Sequence, residues 1–334
     1  MRGADESRPV WYPTLESVIP PPALRALVVV LCLGGTFSVF ARDAHPAAAS
    51  GPTTIGSAFN STRTTIPVTI EGQRASCVLD TGSSAILVSP ALAASAHLQG
   101  RAGTFEVAPD GRTYVDRQTD IAHFDVAGHS LRDVPALISS NLTGYSALCG
   151  YDFFTHFPTL IDRAHRAVTL YPSPSKLARM HCLTVNLSPH VPLATVEING
   201  TWLSHVVLDS GMAGGGALWD GVRSQLRQPL VTSADYRSMP AAARDGFSCG
   251  SVATVRYAGG APTSSMPICT EAQRPDGYNG IIETNLSSVA AIGVDYPHHK
   301  MCFDVASYSR VTAAGSAPQL DRGAWSRFNY LRPP

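Results

Sequence analysis

Val78-Leu79-Asp80-Thr81-Gly82-Ser83 and Val207-Leu208-Asp209-Ser210-Gly211 carry most of what the chain says about its fold. Each places an Asp, a hydroxyl residue and a Gly directly after an apolar run, so a carboxylate is presented where a buried strand turns. One such tripeptide is an ordinary surface turn, because Asp, Thr, Ser and Gly are common turn residues. A second copy, with a further apolar-Gly segment after each, reverses that preference. Gly150, in Ala147-Leu148-Cys149-Gly150, lies 70 positions after Asp80, and Gly280, in Gly280-Ile281-Ile282, lies 71 positions after Asp209. The chain reads as a duplicated unit with one carboxylate per copy.

The approach to each Asp repeats as well. A strand from Ile66 to Ile70, a turn at Glu71-Gly72 and a second strand lead into Asp80, while Val196 to Ile198, a turn at Asn199-Gly200 and Leu203 to Leu208 lead into Asp209. Alternating residues from Thr104 to Val115 bracket Pro109-Asp110-Gly111, a hairpin signal, and another strand pair turns at Ala127-Gly128. Tyr151 to Phe154 suits a short helix, and a turn and strand from Ile161 to Tyr171 close the first copy. The second closes alike, with a helical stretch near Asn285 to Val289 and a strand pair from Ile292 to Phe303 turning at Tyr296 to His299. The prolines of Tyr171-Pro172-Ser173-Pro174-Ser175 block helix and sheet and mark the hinge between copies.

These signals predict an all-β, bilobal fold divided as 1–57 (leader and linker), 58–174 (first lobe), 175–310 (second lobe) and 311–334 (a polar tail whose Trp325, Phe328 and Tyr330 pack onto a lobe). A chain of 334 residues with 44% hydrophobic and 15% charged residues has ample core for two lobes. Formal charge is zero and no basic stripe is interleaved with aromatics, which argues against nucleic acid as a partner. Both lobes in one chain favour a monomer.

Ala26 to Ala41 is an uncharged, largely apolar run of 16 residues between Arg25 and Arg42. It is shorter than the roughly 20 residues a spanning helix needs and suits the core of a signal peptide, cleaved after Ala41 or Ala49. The long stretch before it keeps an inner-membrane anchor as the alternative. Either places the lobes in an extracytoplasmic compartment, periplasmic or secreted. Of seven cysteines, Cys32 lies in this leader, and the other six allow disulfides in such a compartment. Cys249 and Cys269 flank a hairpin around Tyr257 to Gly260 and form the first expected pair. Cys182 and Cys302, in the first and last strands of copy two, form the second. Cys77 and Cys149 fit equally as a pair or as small buried core residues.

Two carboxyls delivered by facing loops cannot both ionise at close range, so one proton is shared and the pair titrates as a unit. The ionised member can take a proton from water while the protonated member polarises a carbonyl, which hydrolyses an amide without metal or cofactor. Gly82 and Gly211 allow close backbone approach, and the hydroxyls of Thr81 and Ser210 can tie the loops together. The chain has no His-Glu-x-x-His pair or phosphate loop.

On Asp80-Thr81-Gly82-Ser83 with Leu148-Cys149-Gly150, and Asp209-Ser210-Gly211 with Gly280-Ile281-Ile282, the chain resembles the pepsin and retropepsin superfamily of aspartic peptidases, most closely the bacterial retropepsin-like group, over about Ile66 to Asp304. The resemblance implies a cleft between two β-barrel-like lobes, peptide or protein substrates, Asp80 and Asp209 holding the water, and a hairpin flap over Phe105 to Val115 whose candidates are Asp110, Gly111 and Tyr114. Two departures stand in the second lobe. Met212 replaces the counterpart of Ser83, predicting the loss of one outer hydrogen bond to Asp209, and Asn279 precedes Gly280 where an apolar residue is expected. The first reading is therefore an aspartic endopeptidase. The alternative is a catalytically weakened, protease-like peptide-binding protein.

Overall fold

The computed structural model describes residues 51–59, 63–101, 103–107, 113–140, 142, 144–172, 177, 180–188, 190–212, 215–232, 247–257, 263–271, 278–284 and 289–304. All lie in one compact unit, Pro46–Pro334. Three two-residue hairpin turns fall where the sequence puts them. Glu71-Gly72, Ala127-Gly128 and Asn199-Gly200 have both residues at positive φ, the conformation whose twist matches the flanking strands.

Two closed six-stranded barrels dominate the fold. Around the first, the order is Thr64–Ile70, Gln73–Leu79, Ala147–Cys149, Ile86–Val88, His129–Ser139 and Thr113–Val126, and the last pairs back to the first through Ile70 and Phe124. Around the second it is Leu193–Ile198, Thr201–Asp209, Gly280–Glu283, Gly216–Trp219, Thr263–Glu271 and Phe247–Arg256, closed through Ile198 and Val255. The sequence of parallel and antiparallel pairings is identical in the two rings. Closure removes the free edges that an open sheet would leave.

A third sheet draws on both lobes, in the order Thr53–Gly56, Ala167–Leu170, Thr159–Asp162, Ala291–Asp295, Lys300–Asp304 and His181–Thr184. Its order is symmetric about the Thr159–Asp162 and Ala291–Asp295 pair, so the duplication extends beyond the barrels. Thr53–Gly56 falls within the stretch that its Ala, Pro, Gly and Ser content marks as linker. It is held as a strand by Ala167–Leu170, a partner that composition does not reveal.

Cys77 and Cys149 form a disulfide with a Cα separation of 5.7 Å, joining two neighbouring strands of the first barrel inside its core. Cys182 pairs with Cys302 as expected, across directly opposed strand residues. Cys269 is also disulfide-bonded. The side chain of Cys249 lies outside the described residues, though its strand runs antiparallel beside that of Cys269, with Ser248 opposite Thr270. The expected leader, hinge residues 173–175, the helical stretch near Asn285 and the tail with Trp325, Phe328 and Tyr330 likewise fall largely or wholly outside them. Among the described residues no helix is long and apolar enough to cross a membrane.

Candidate active site

Asp80 follows the strand Gln73–Leu79, and Asp209 ends the strand Thr201–Asp209, the same strand of each barrel. In both, apolar residues fill the interior, so the carboxylate emerges where the strand leaves the core. The loops face each other and exchange four hydrogen bonds. The Thr81 hydroxyl donates to the Leu208 carbonyl at 2.7 Å and accepts from the Ser210 N–H at 2.9 Å. The Ser210 hydroxyl reciprocates, donating to the Leu79 carbonyl at 2.9 Å and accepting from the Thr81 N–H at 3.0 Å. Thr81 and Ser210 are both fully buried, which leaves the groups they satisfy no water as a substitute.

The same exchange crosses the two carboxyls over the two glycines. A Cβ on Gly82 would lie 2.4 Å from Asp209 Oδ2, and one on Gly211 would lie 2.2 Å from Asp80 Cγ, so no larger residue fits either position. Each carboxyl therefore lies against the glycine of the opposite loop. Asp80 Oδ1 accepts the Gly82 N–H at 2.9 Å, whereas Asp209 Oδ1 accepts two, from Gly211 at 2.7 Å and Met212 at 2.8 Å.

Burial raises the pKa of both carboxyls. For Asp80 the charge of Asp209 adds to that rise, so it stands well above the ordinary carboxylate range. For Asp209 the Met212 and Gly211 N–H groups oppose the rise. Both carboxyls are thus pushed toward the protonated form.

Two neighbours of the pair carry no sequence signal. Arg63 is buried, donates from Nε to the Gly211 carbonyl at 2.7 Å and from a terminal nitrogen to the Tyr145 hydroxyl at 2.6 Å, and its charge lowers both aspartate pKa values. It stands in the polar run Ser61-Thr62-Arg63-Thr64-Thr65, indistinguishable from a loop cation. Tyr296 sits in the turn of the last strand pair, fully buried, with its hydroxyl donating to the Thr81 carbonyl at 3.3 Å. Burial and the two aspartate charges push its pKa well up, so it stays a neutral donor.

The outer hydrogen bond expected to be lost at Met212 has no counterpart, among the described residues, from the Ser83 side chain to Asp80 in the first lobe. The Ser83 hydroxyl donates to the Ala85 carbonyl at 2.8 Å, while the Met212 backbone supplies Asp209 with a donor and its side chain packs into the core. Asn279, just before its own strand, is accommodated by the neighbouring strand Thr201–Asp209, with its N–H donating to His205 and its side chain to Ser204, both at the carbonyl.

The register of the second apolar-Gly segment also differs from the sequence reading. Leu79 lies opposite Cys149 and Leu208 opposite Ile282, so the counterpart of Gly150 is Glu283, with Gly280 matching Ala147. The 70 and 71 spacings therefore compare non-equivalent glycines. Matching the apolar pairs Leu148-Cys149 and Ile281-Ile282 finds the true register, because strand register is set by which side chains are buried.

The hairpin strands Gly103–Val107 and Thr113–Val126 form as expected. Asp110 and Gly111 lie outside the described residues, as does the side chain of Tyr114.

Residues 66–153 match the aspartyl protease family model, a span that runs from the first barrel's opening strand to just past Gly150. No curated protein matches the chain significantly. That match and the two barrels support a place in the retropepsin-like aspartyl protease family.

Proposed function

We propose that the protein is an aspartic endopeptidase in which Asp209 and Asp80 act as one acid-base pair on a bound water. The observation carrying this reading is the pair of facing carboxyls, each packed against the opposite loop's glycine and held by unequal numbers of backbone donors. Ionised Asp209 takes a proton from water as its oxygen attacks the scissile carbonyl carbon, and Asp80 gives its proton to the carbonyl oxygen. When the tetrahedral intermediate collapses, the C–N bond breaks, the nitrogen takes a proton from the pair, and a hydroxyl of the intermediate returns one as its C=O reforms, leaving one proton shared as before. Thr81, Gly82, Ser210 and Gly211 hold the geometry, and the hairpin over Phe105 to Val115 is the flap.

Disulfides and the apolar run 26–41 support an extracytoplasmic site of action. The purified protein, offered a library of unstructured peptides from acid to neutral pH, is expected to cut internal bonds. Binding without cleavage at every pH would replace this reading with the peptide-binding scaffold.

A further inference from the structure

Glu283 is a buried carboxylate, 4% exposed, that the acid-base chemistry leaves unused. Its counterpart Gly150 could not be Glu, because a Cβ there would lie 2.2 Å from the Ala85 carbonyl oxygen and 2.5 Å from that of Ser83. The second lobe makes room by one residue. From Asp80 to the next barrel strand at Ile86 is six positions, while from Asp209 to the matching strand at Gly216 is seven.

The longer loop ends against Glu283. Gly215 donates its N–H to Glu283 Oε2 at 2.7 Å, and Glu283 donates its own N–H to the Gly215 carbonyl at 2.7 Å. Gly215 is confined to glycine by φ of 123° and by a Cβ position 2.0 Å from the Pro267 carbonyl oxygen, so it meets the carboxylate through its backbone. Two further bonds fix Glu283 and its neighbour. The Tyr257 hydroxyl donates to the Glu283 carbonyl at 2.8 Å, and the Thr284 N–H to the Asp209 carbonyl at 2.8 Å. Both ends of the Asp209 to Gly215 loop are thereby held by consecutive residues, and this loop supplies the two N–H groups on Asp209 Oδ1.

We infer that Glu283 is a positioning residue for the second lobe: its carboxylate replaces the glycine packing of the first lobe and holds the lengthened loop so that Gly211 and Met212 bond Asp209. The inference rests on the proposed peptidase reading for its kinetic consequence, but not for its structural one.

The test compares Glu283→Gln, whose amide oxygen can still accept from Gly215, with Glu283→Ala and with Glu283→Asp, which keeps the charge but falls short in reach. Ala and Asp are expected to lower kcat by about tenfold or more with KM within about twofold, while Gln stays within about threefold of wild type. Residue-resolved amide exchange is expected to speed up at Gly211 and Met212 by about tenfold in Ala and Asp and not in Gln. If Ala does not fold, Asp decides. Gln as impaired as Ala, or Ala and Asp matching wild type in both measurements, would overturn the inference. If the wild type cuts no peptide, the peptidase reading falls and amide exchange alone decides the role of Glu283.

Discussion

Asp209 accepts two backbone N–H groups and Asp80 one, and the extra donor is Met212, the residue whose side chain first suggests a defect. A carboxylate that gains a donor gives up its proton more easily, so the asymmetry orders the pair. The sign of the pH dependence of stability follows from Asp80. Burial first, then the charge of Asp209, raise its pKa in the folded protein, so from the unfolded value near about 3.9 upward the unfolded chain releases a proton that the folded protein keeps. That contribution to stability is full below the unfolded pKa and is lost as pH rises through the folded one. Asp80→Asn removes it, so the melting temperature of the variant relative to wild type should increase from pH 3.5 to pH 7. A constant difference would contradict the raised pKa. Arg63 acts in the other direction, lowering both aspartates from its place on the Gly211 carbonyl. Arg63→Met is expected to move both limbs of the pH-rate profile to higher pH, measured as kcat/KM against pH, and an unmoved profile would remove Arg63 from the electrostatics of the pair.

At the scale of elements, the strand before Asp80 is tied to the strand before Gly150 by the Cys77–Cys149 disulfide, while the matching strands of the second barrel carry Val206 and Ile282 in those places. The link closes a span of 72 residues, and its loss in a Cys77→Ala, Cys149→Ala double variant should destabilise the protein by about 2–5 kcal/mol, read from the denaturant midpoint. An unchanged midpoint would show that packing alone holds the two strands. Hairpins were legible in the sequence because Glu71-Gly72, Ala127-Gly128 and Asn199-Gly200 state their turn type locally. The strand Thr53–Gly56 was not, because a four-residue edge strand exists only through its partner. Glu283 escaped for a related reason. A glycine is a conspicuous landmark, but Gly280 is needed where a Cβ would meet the Ala217 carbonyl oxygen at 2.7 Å, not because it matches Gly150.

For the whole molecule, the duplication visible in two Asp-hydroxyl-Gly segments extends to both barrels and to the shared sheet, where each lobe contributes three strands in mirrored order. What sequence conveyed was the pair of carboxylates and their immediate loops, since those residue types are fixed by close approach and by reciprocal bonding. What it withheld were Arg63 and Tyr296, whose importance comes from long-range neighbours, Gly211 at 148 positions and Thr81 at 215. Joining two half-sites into one chemical unit is the central claim, and it requires both halves. The most direct measurement compares peptide cleavage by wild type, Asp80→Asn and Asp209→Asn, with circular dichroism confirming the fold of each. The near-isosteric variants cannot share a proton and take one from water, so each should lose turnover by at least about a thousandfold. Cleavage by either variant at the wild-type rate would contradict the shared-proton pair and assign the activity elsewhere.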